Sequence, residues 1–113
     1  MYYDLPWEGK PVDQSRQLTK CIFSLGIDEE ALLLQEEELE YEFDFNMDHY
    51  VVLAQIMLKL DLNLKKTRHE LVPEMINEDN FWRNYFYKIE VIKRNIGISA
   101  RLGPAVAQAQ REQ

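Results

Sequence analysis

The sequence has little of the material from which several classes of protein are built. Its 113 residues include one cysteine, four glycines and four prolines. The single cysteine, Cys21, excludes an internal disulfide framework and fits a reducing compartment. The longest apolar stretch, residues 51–60, is interrupted by Gln55 and Lys59, and it is shorter than the roughly 20 apolar residues that a membrane-spanning helix needs. The first ten residues also lack the basic and apolar regions of a signal peptide, so we expect an intracellular protein.

Positive charge is scarce and unevenly distributed. The net charge is −7, and residues 1–57 contain 13 acidic side chains against three Lys or Arg. Residues 58–113 contain 10 Lys or Arg against seven acidic side chains. Because phosphate contacts dominate nucleic-acid affinity, the acidic first half makes DNA or RNA an unexpected partner. Alternatively, the charge asymmetry is structural, and acidic and basic faces complement each other inside one fold.

The remaining composition is that of one small globular domain, with 46% hydrophobic and 29% charged residues. Hydrophobic residues recur at helical spacing, and several residues suit helix ends. We predict a helix over Ser15–Leu25, a short helix after Asp28, and a very apolar helix over residues 49–60 capped by Asn46 or Asp48.

The second half of the sequence predicts two further helices. Asp61 or Asn63 would start one of them, and Pro73 would end it near Leu71–Val72. The last helix would run from about Asp79 to Ile96, where Gly97 would close it. No segment longer than the alternating aromatic and acidic stretch of residues 41–45 shows strand periodicity, so the predicted fold is all-α.

These elements predict four regions along the chain. Residues 1–14 would form an irregular N-terminal arm, and residues 15–42 a short helical extension with an acidic connector. Residues 43–98 would form a three-helix domain, and residues 99–113 a frayed tail.

The motifs of metal and catalytic sites fail on specific residues. Asp44, Asn46 and Asp48 match the start of a calcium-binding loop, but His49 and Gln55 stand where such a loop requires Gly and Glu. Cys21 and the two histidines do not share a helical turn, so zinc ligation has no support. We therefore predict no metal, no cofactor and no catalytic residue.

The last helix carries a recognisable sequence. The segment FWRNYFYKI, residues 81–89, follows Leu71-Val72-Pro73 and Glu78. It resembles the end of a BSD domain, whose signature is an adjacent Phe-Trp pair, here Phe81 and Trp82. Together with EFDFNMDHYVVLAQIML and RHELVPEMI, it is most similar to the synapse-associated branch of that family.

The resemblance implies an all-α, three-helix BSD-type bundle with one or two short preceding helices. It implies a cytoplasmic, non-enzymatic adaptor or scaffold that binds other proteins. The alternative is a transcription- or chromatin-associated module that contacts nucleic acid or a transcription factor complex, as in the branch found in the general transcription factor TFIIH.

The signature positions also have a physical interpretation. Their helical spacing predicts an apolar stripe that is mainly core, formed by Phe81, Trp82, Tyr85 and Phe86. The polar side chains of the same helix would point outward and offer a possible partner surface, or else a merely solvated face: Arg83, Tyr87, Lys88 and Arg94.

Overall fold

The computed structural model describes the backbone of residues 4–102 and the side chains of residues 4–97. This part of the chain contains five α-helices and no strand, which confirms the all-α prediction. The helices are α1 (Val12–Leu25), α2 (Glu29–Leu32), α3 (Met47–Leu60), α4 (Leu62–Leu71) and α5 (Glu78–Leu102). A short 3-10 turn, Glu36–Glu38, lies in the connector, which we define as residues 33–46. Within residues 4–102, no helix is both long and apolar enough to cross a membrane.

Polar side chains set the starts of four helices, because the first N–H groups of a helix have no partner inside it. Asp28 accepts the N–H of Ala31 at the start of α2, and Asn46 accepts the N–H of Asp48 at the start of α3. Asp61 accepts the N–H of Leu64 at the start of α4. Asn77 accepts the N–H of Asn80 in the first turn of α5. Asp28 was expected at a helix start from the sequence, as was one residue of the pair Asn46 and Asp48 and one of the pair Asp61 and Asn63.

Helix α5 is the element on which the bundle is assembled. It packs against α1, α2 and α3, while α4 packs against α1 and α3. Arg68 of α4 donates through Nε to the Glu78 carboxylate at 3.0 Å, which ties the end of α4 to the start of α5. The core contains side chains from all five helices, including Ile22, Leu32, Met57 and Leu64, none of which is measurably exposed.

The aromatic stripe of α5 lies at the centre of this core. Phe81, Trp82, Tyr85 and Phe86 are between 0% and 3% exposed. The rings of Phe81 and Tyr85 both meet the indole of Trp82 edge-on, with centroids 5.1 and 5.5 Å away. This is a favoured geometry for aromatic pairs, because the positive ring edge meets the negative ring face.

Two helix boundaries differ from the prediction by three residues or more. Helix α1 begins at Val12 rather than Ser15, because Pro11 has a fixed φ that suits a helix start and Asp13 places negative charge in the first turn. Gly97 does not close the last helix, which continues to Leu102. Glycine weakens a helix but does not end it unless the chain turns there. The predicted tail beyond residue 102 lies outside the described residues.

The N-terminal arm is folded against the bundle. Leu5 and Trp7 pack against the core cluster, and the ring of Trp7 lies 6.0 Å from that of Phe23 in α1. Gly9 has φ +77°, a left-handed conformation that glycine adopts at little cost, and the chain turns there toward α1.

Replacing Trp82 by Ala should lower the free energy of unfolding by about 3–5 kcal/mol, because the change leaves a large cavity in the core. Urea denaturation measures this loss. Trp7→Ala is the control, and it should cost less because Trp7 is only partly buried. An unchanged midpoint for Trp82→Ala, together with loss of partner binding, would show that Trp82 acts at an interface instead.

Two glycine substitutions should have opposite effects. An added Cβ at Gly97 meets no described atom within 4 Å, so Gly97→Ala should stabilise α5 by about 0.5–1 kcal/mol. An added Cβ at Gly26 would lie 2.6 Å from Oδ2 of buried Asp61. Gly26→Ala should therefore cost about 1–3 kcal/mol through overpacking. Thermal unfolding of both variants checks the pair, and equal effects at the two sites would contradict the Gly26–Asp61 packing.

Candidate functional site

The polar side of α5 is occupied by the chain's own connector. Asn84 is fully buried, and its side-chain amide donates to the carbonyl oxygens of Leu32 and Leu34, each at 2.9 Å. Arg83 donates to the same Leu34 oxygen at 3.2 Å and to Oδ1 of Asn84 at 3.0 Å. These bonds satisfy carbonyl groups at the end of α2, where a helix leaves its last acceptors unpaired.

One turn further along α5, Tyr87 lies beneath the connector. Its hydroxyl accepts the backbone N–H of Glu40 at 2.7 Å, and its ring lies 6.1 Å from that of Phe43. The guanidinium carbon of Arg94 lies 4.5 Å from the centre of the Tyr41 ring, in a cation–π contact. Side chains from successive turns of α5 therefore hold the connector from α2 to the start of α3.

The structure separates the four residues of the predicted partner surface. Tyr87 is only 3% exposed, so its expected outward position is wrong: the connector covers it. Arg83 and Lys88 are half-buried, and Arg94 is exposed. Lys88 lines a groove of about 440 Å³ between α1, α2 and α5, beside Cys21. The four side chains thus form no single solvent-facing patch.

A larger groove, here called the arm groove, has a volume of about 690 Å³ and lies between the N-terminal arm, the connector, α3 and α5. Its apolar lining includes Phe43, Tyr50, Leu53, Phe86 and Ile89. Charged side chains of both signs also line it: Asp4, Glu8, Lys10, Asp44, Glu90, Lys93 and Arg94. Protein interfaces commonly combine apolar and charged side chains in this way.

A buried polar corner lies where α1 meets the junction of α3 and α4. Asp61 is 2% exposed; its Oδ1 caps α4, whereas its Oδ2 has no hydrogen-bond partner among the described residues. The hydroxyl of Tyr85 is likewise buried and unpartnered there. Burial raises the pKa of Asp61, against the N–H groups of Leu64 and Asn63, which lower it. Burial and the negative charge of Asp61 together raise the pKa of Tyr85.

The residues weighed as metal ligands have other positions. Asn46 caps α3, while Asp44 and Asp48 are exposed. His49 and His69 are also exposed, and Cys21 is half-buried in α1. Among the residues that the structure describes, no three His, Cys, Asp or Glu side chains are grouped so as to hold a metal ion.

Two buried polar residues, Asn84 and Asp61, were not recognised as buried from the sequence. Asn84 stands three residues after Phe81, on the apolar side of the helix, which is a sign that the sequence does contain. Asp61 was recognised as a cap, but its burial depends on the approach of Gly26 from a distant part of the chain.

The chain carries a BSD domain: that family matches residues 42–95, which contain α3, α4 and most of α5. The family prediction is thereby confirmed. Helices α1 and α2 precede the matched region and pack against its last helix.

The relatives belong to the synapse-associated branch. The chain is similar to Synapse-associated protein 1 of Mus musculus, with 32% identity over 107 residues, 95% of this chain. It is also similar to the Synapse-associated protein of 47 kDa of Drosophila melanogaster, with 37% identity over 68 residues, 60% of this chain. The matches cover 28% of the mouse protein and 12% of the fly protein.

Asp61→Asn should raise the urea midpoint at pH 7, because the amide keeps an oxygen for capping α4 and carries no charge to bury. Since the folded-state pKa of Asp61 is raised, the wild-type stability contribution falls as pH rises from about 3.9, the ordinary Asp value, through the folded-state pKa. Above the folded-state pKa of Asp61 this contribution to stability is lost completely. Urea melts from pH 3 to pH 8 measure this fall. The free energy of unfolding of the wild type minus that of Asp61→Asn should decrease over this range.

Asp28→Asn is the matched control, because Asp28 caps α2 in the same way but is exposed. It should leave the midpoint at pH 7 nearly unchanged. A lower midpoint for Asp61→Asn at pH 7 would contradict an energetic cost of the buried carboxylate.

Proposed function

We propose that this chain is a non-enzymatic protein-binding module, the folded part of a cytoplasmic adaptor. The observation that carries the proposal is the arm groove, which combines aromatic and aliphatic side chains with lysine, arginine and carboxylate groups around them. Apolar contacts with the half-buried rings of Phe43 and Tyr50 would supply affinity, and the charged side chains of the lining would select the partner and its orientation. The presence of a BSD domain similar to those of synapse-associated proteins supports an interaction role.

The lining of the arm groove also argues against a catalytic role. It includes neither histidine nor cysteine, the side chains most often used as general base and thiol nucleophile near neutral pH. Its carboxylates, of Asp4, Glu8, Asp44 and Glu90, are exposed or half-exposed, without the apolar pocket that raises the pKa of a catalytic acid.

Only part of the partner surface that was predicted from the sequence belongs to the proposed contact surface. Arg94 lines the arm groove together with Lys10 and Lys93, so we propose that this basic side contacts an acidic part of the partner. Lys88 faces a different groove, and Arg83 is engaged with carbonyl groups of the chain itself. Neither is included in the proposed contact surface.

Nucleic acid is the less favoured partner. Arg68 is paired with Glu78, and Arg83 donates to a carbonyl group of the chain itself. Basic side chains that are engaged in this way are not aligned to follow a phosphate backbone. The carboxylates around the arm groove would also repel a polyanion.

The double charge reversal Lys10→Glu and Lys93→Glu should abolish most capture of partner proteins from cell lysate by the folded chain. It inverts the basic side of the arm groove without touching the core. The measurement is quantitative mass spectrometry of the captured proteins, compared with the wild-type chain.

The matched control is Lys65→Glu with Lys66→Glu, which reverses two exposed lysines on α4, outside the groove. Both variants change the net charge by the same amount, so a general electrostatic effect would appear equally in both. Recovery of the same proteins by the wild type and the arm-groove variant would refute the proposed binding surface.

A further inference from the structure

The connector is attached to α5 mainly through side chains. Glu40 donates its backbone N–H to Tyr87, but the N–H groups of residues 41–45 make no hydrogen bond to any part of the chain that the structure describes. A segment without a regular backbone ladder has little local stability of its own. Its position therefore depends on the anchoring contacts with α5.

These contacts follow the alternation of the connector sequence. The aromatic side chains of Tyr41 and Phe43 both have rings within 6.5 Å of the Tyr87 ring, measured between centroids. The intervening acidic residues Glu40, Glu42 and Asp44 are exposed. The α5 surface thus receives aromatic rings and one backbone N–H from an extended segment whose carboxylates remain in solvent.

We propose that the α5 surface around Tyr87 and Arg94 is a binding site for an extended acidic–aromatic peptide of a partner protein, and that the connector occupies this site as a displaceable intramolecular ligand. The inference rests on the proposed protein-binding function and adds the chemistry of the partner.

The intact contacts of the connector show what the site recognises. Tyr87 offers a hydroxyl acceptor to a backbone N–H, and Arg94 offers a cation to an aromatic ring. Neither contact requires a residue unique to this chain, so a partner segment in which acidic and aromatic residues alternate can reproduce both. Arg94 also favours a negatively charged segment at this site.

Displacement has a quantitative consequence. A partner binds only the fraction of molecules whose connector is released, so the apparent dissociation constant rises by the inverse of that fraction. Weakening the connector's own contacts should therefore tighten binding of a peptide added in trans, although no residue of the site is changed.

The probe is a fluorescent synthetic peptide, EEELEYEFDF, with the sequence of residues 36–45. The opened variant combines Glu40→Pro, which removes the donated N–H, with Tyr41→Ala, which removes the ring beneath Arg94. In fluorescence anisotropy, the opened variant should bind the peptide roughly tenfold or more tightly than the wild-type chain. Addition of Tyr87→Phe and Arg94→Ala to the opened variant should remove this gain.

Two controls test the stated chemistry. Glu42→Ala changes an exposed acidic residue of the connector and should bind the peptide as the wild type does. A peptide with alanine at its three aromatic positions keeps the charge and should not bind. Equal binding by both peptides would show that charge alone explains the effect, and would overturn the proposal. Equal affinity of the wild-type chain and a cooperatively folded opened variant for the peptide would also overturn it.

A measurement on the wild-type chain avoids dependence on the variant's folding. The Glu40 amide should exchange slowly with deuterium, and saturating peptide should accelerate its exchange by releasing the connector. Unchanged exchange would overturn the proposal. Dimerisation of the wild-type chain that excludes the peptide would assign the site to a second copy, and would also overturn it.

The two functional proposals can fail separately. The peptide assay reports the α5 surface, whereas the capture experiment reports Lys10 and Lys93. If the peptide does not bind but capture still depends on Lys10 and Lys93, only the proposal of an intramolecular ligand is rejected.

Discussion

The dry aromatic face of α5 is the constraint on which the rest of the structure depends. Phe81, Trp82 and Tyr85 pack edge-on within one helix, and α1, α2 and α3 each bury their apolar side against that helix. Aromatic side chains remove large areas from water, so a small domain can obtain a sizeable part of its hydrophobic stabilisation from this single element. The polar side of the helix is then available for a different purpose, the attachment of the connector.

That attachment gives α5 two distinct kinds of neighbour. On one side, close packing of apolar groups resists change, since even small differences in volume are felt in a core. On the other side, Tyr87 and Arg94 make a few specific contacts with a segment that lacks regular structure. The same helix therefore combines a closely packed core face with a surface that holds an irregular segment through a few contacts.

Local features of the sequence were sufficient to predict most of the fold. Asp28, Asn46 and Asp61 cap helices through contacts only two or three residues along the chain, so their roles follow from short-range chemistry. The contacts of Asn84 with Leu32 and of Tyr87 with Glu40 join residues 52 and 47 positions apart. No short-range pattern specifies such pairs, which explains why Tyr87 was expected in solvent. The arm groove was equally inaccessible to sequence reasoning, because it forms only where the N-terminal arm crosses α3 and α5.

The corner formed by Gly26, Asp61 and Tyr85 joins three segments that are distant in sequence. The carboxylate of Asp61 fills the space that a side chain at position 26 would need, and its charge is felt by the hydroxyl of Tyr85. Residues that share one confined space do not contribute independently to stability. Substitutions at these three positions should consequently be epistatic: a smaller side chain at position 61 would make room for alanine at position 26, so sequence drift at this corner would proceed through paired changes.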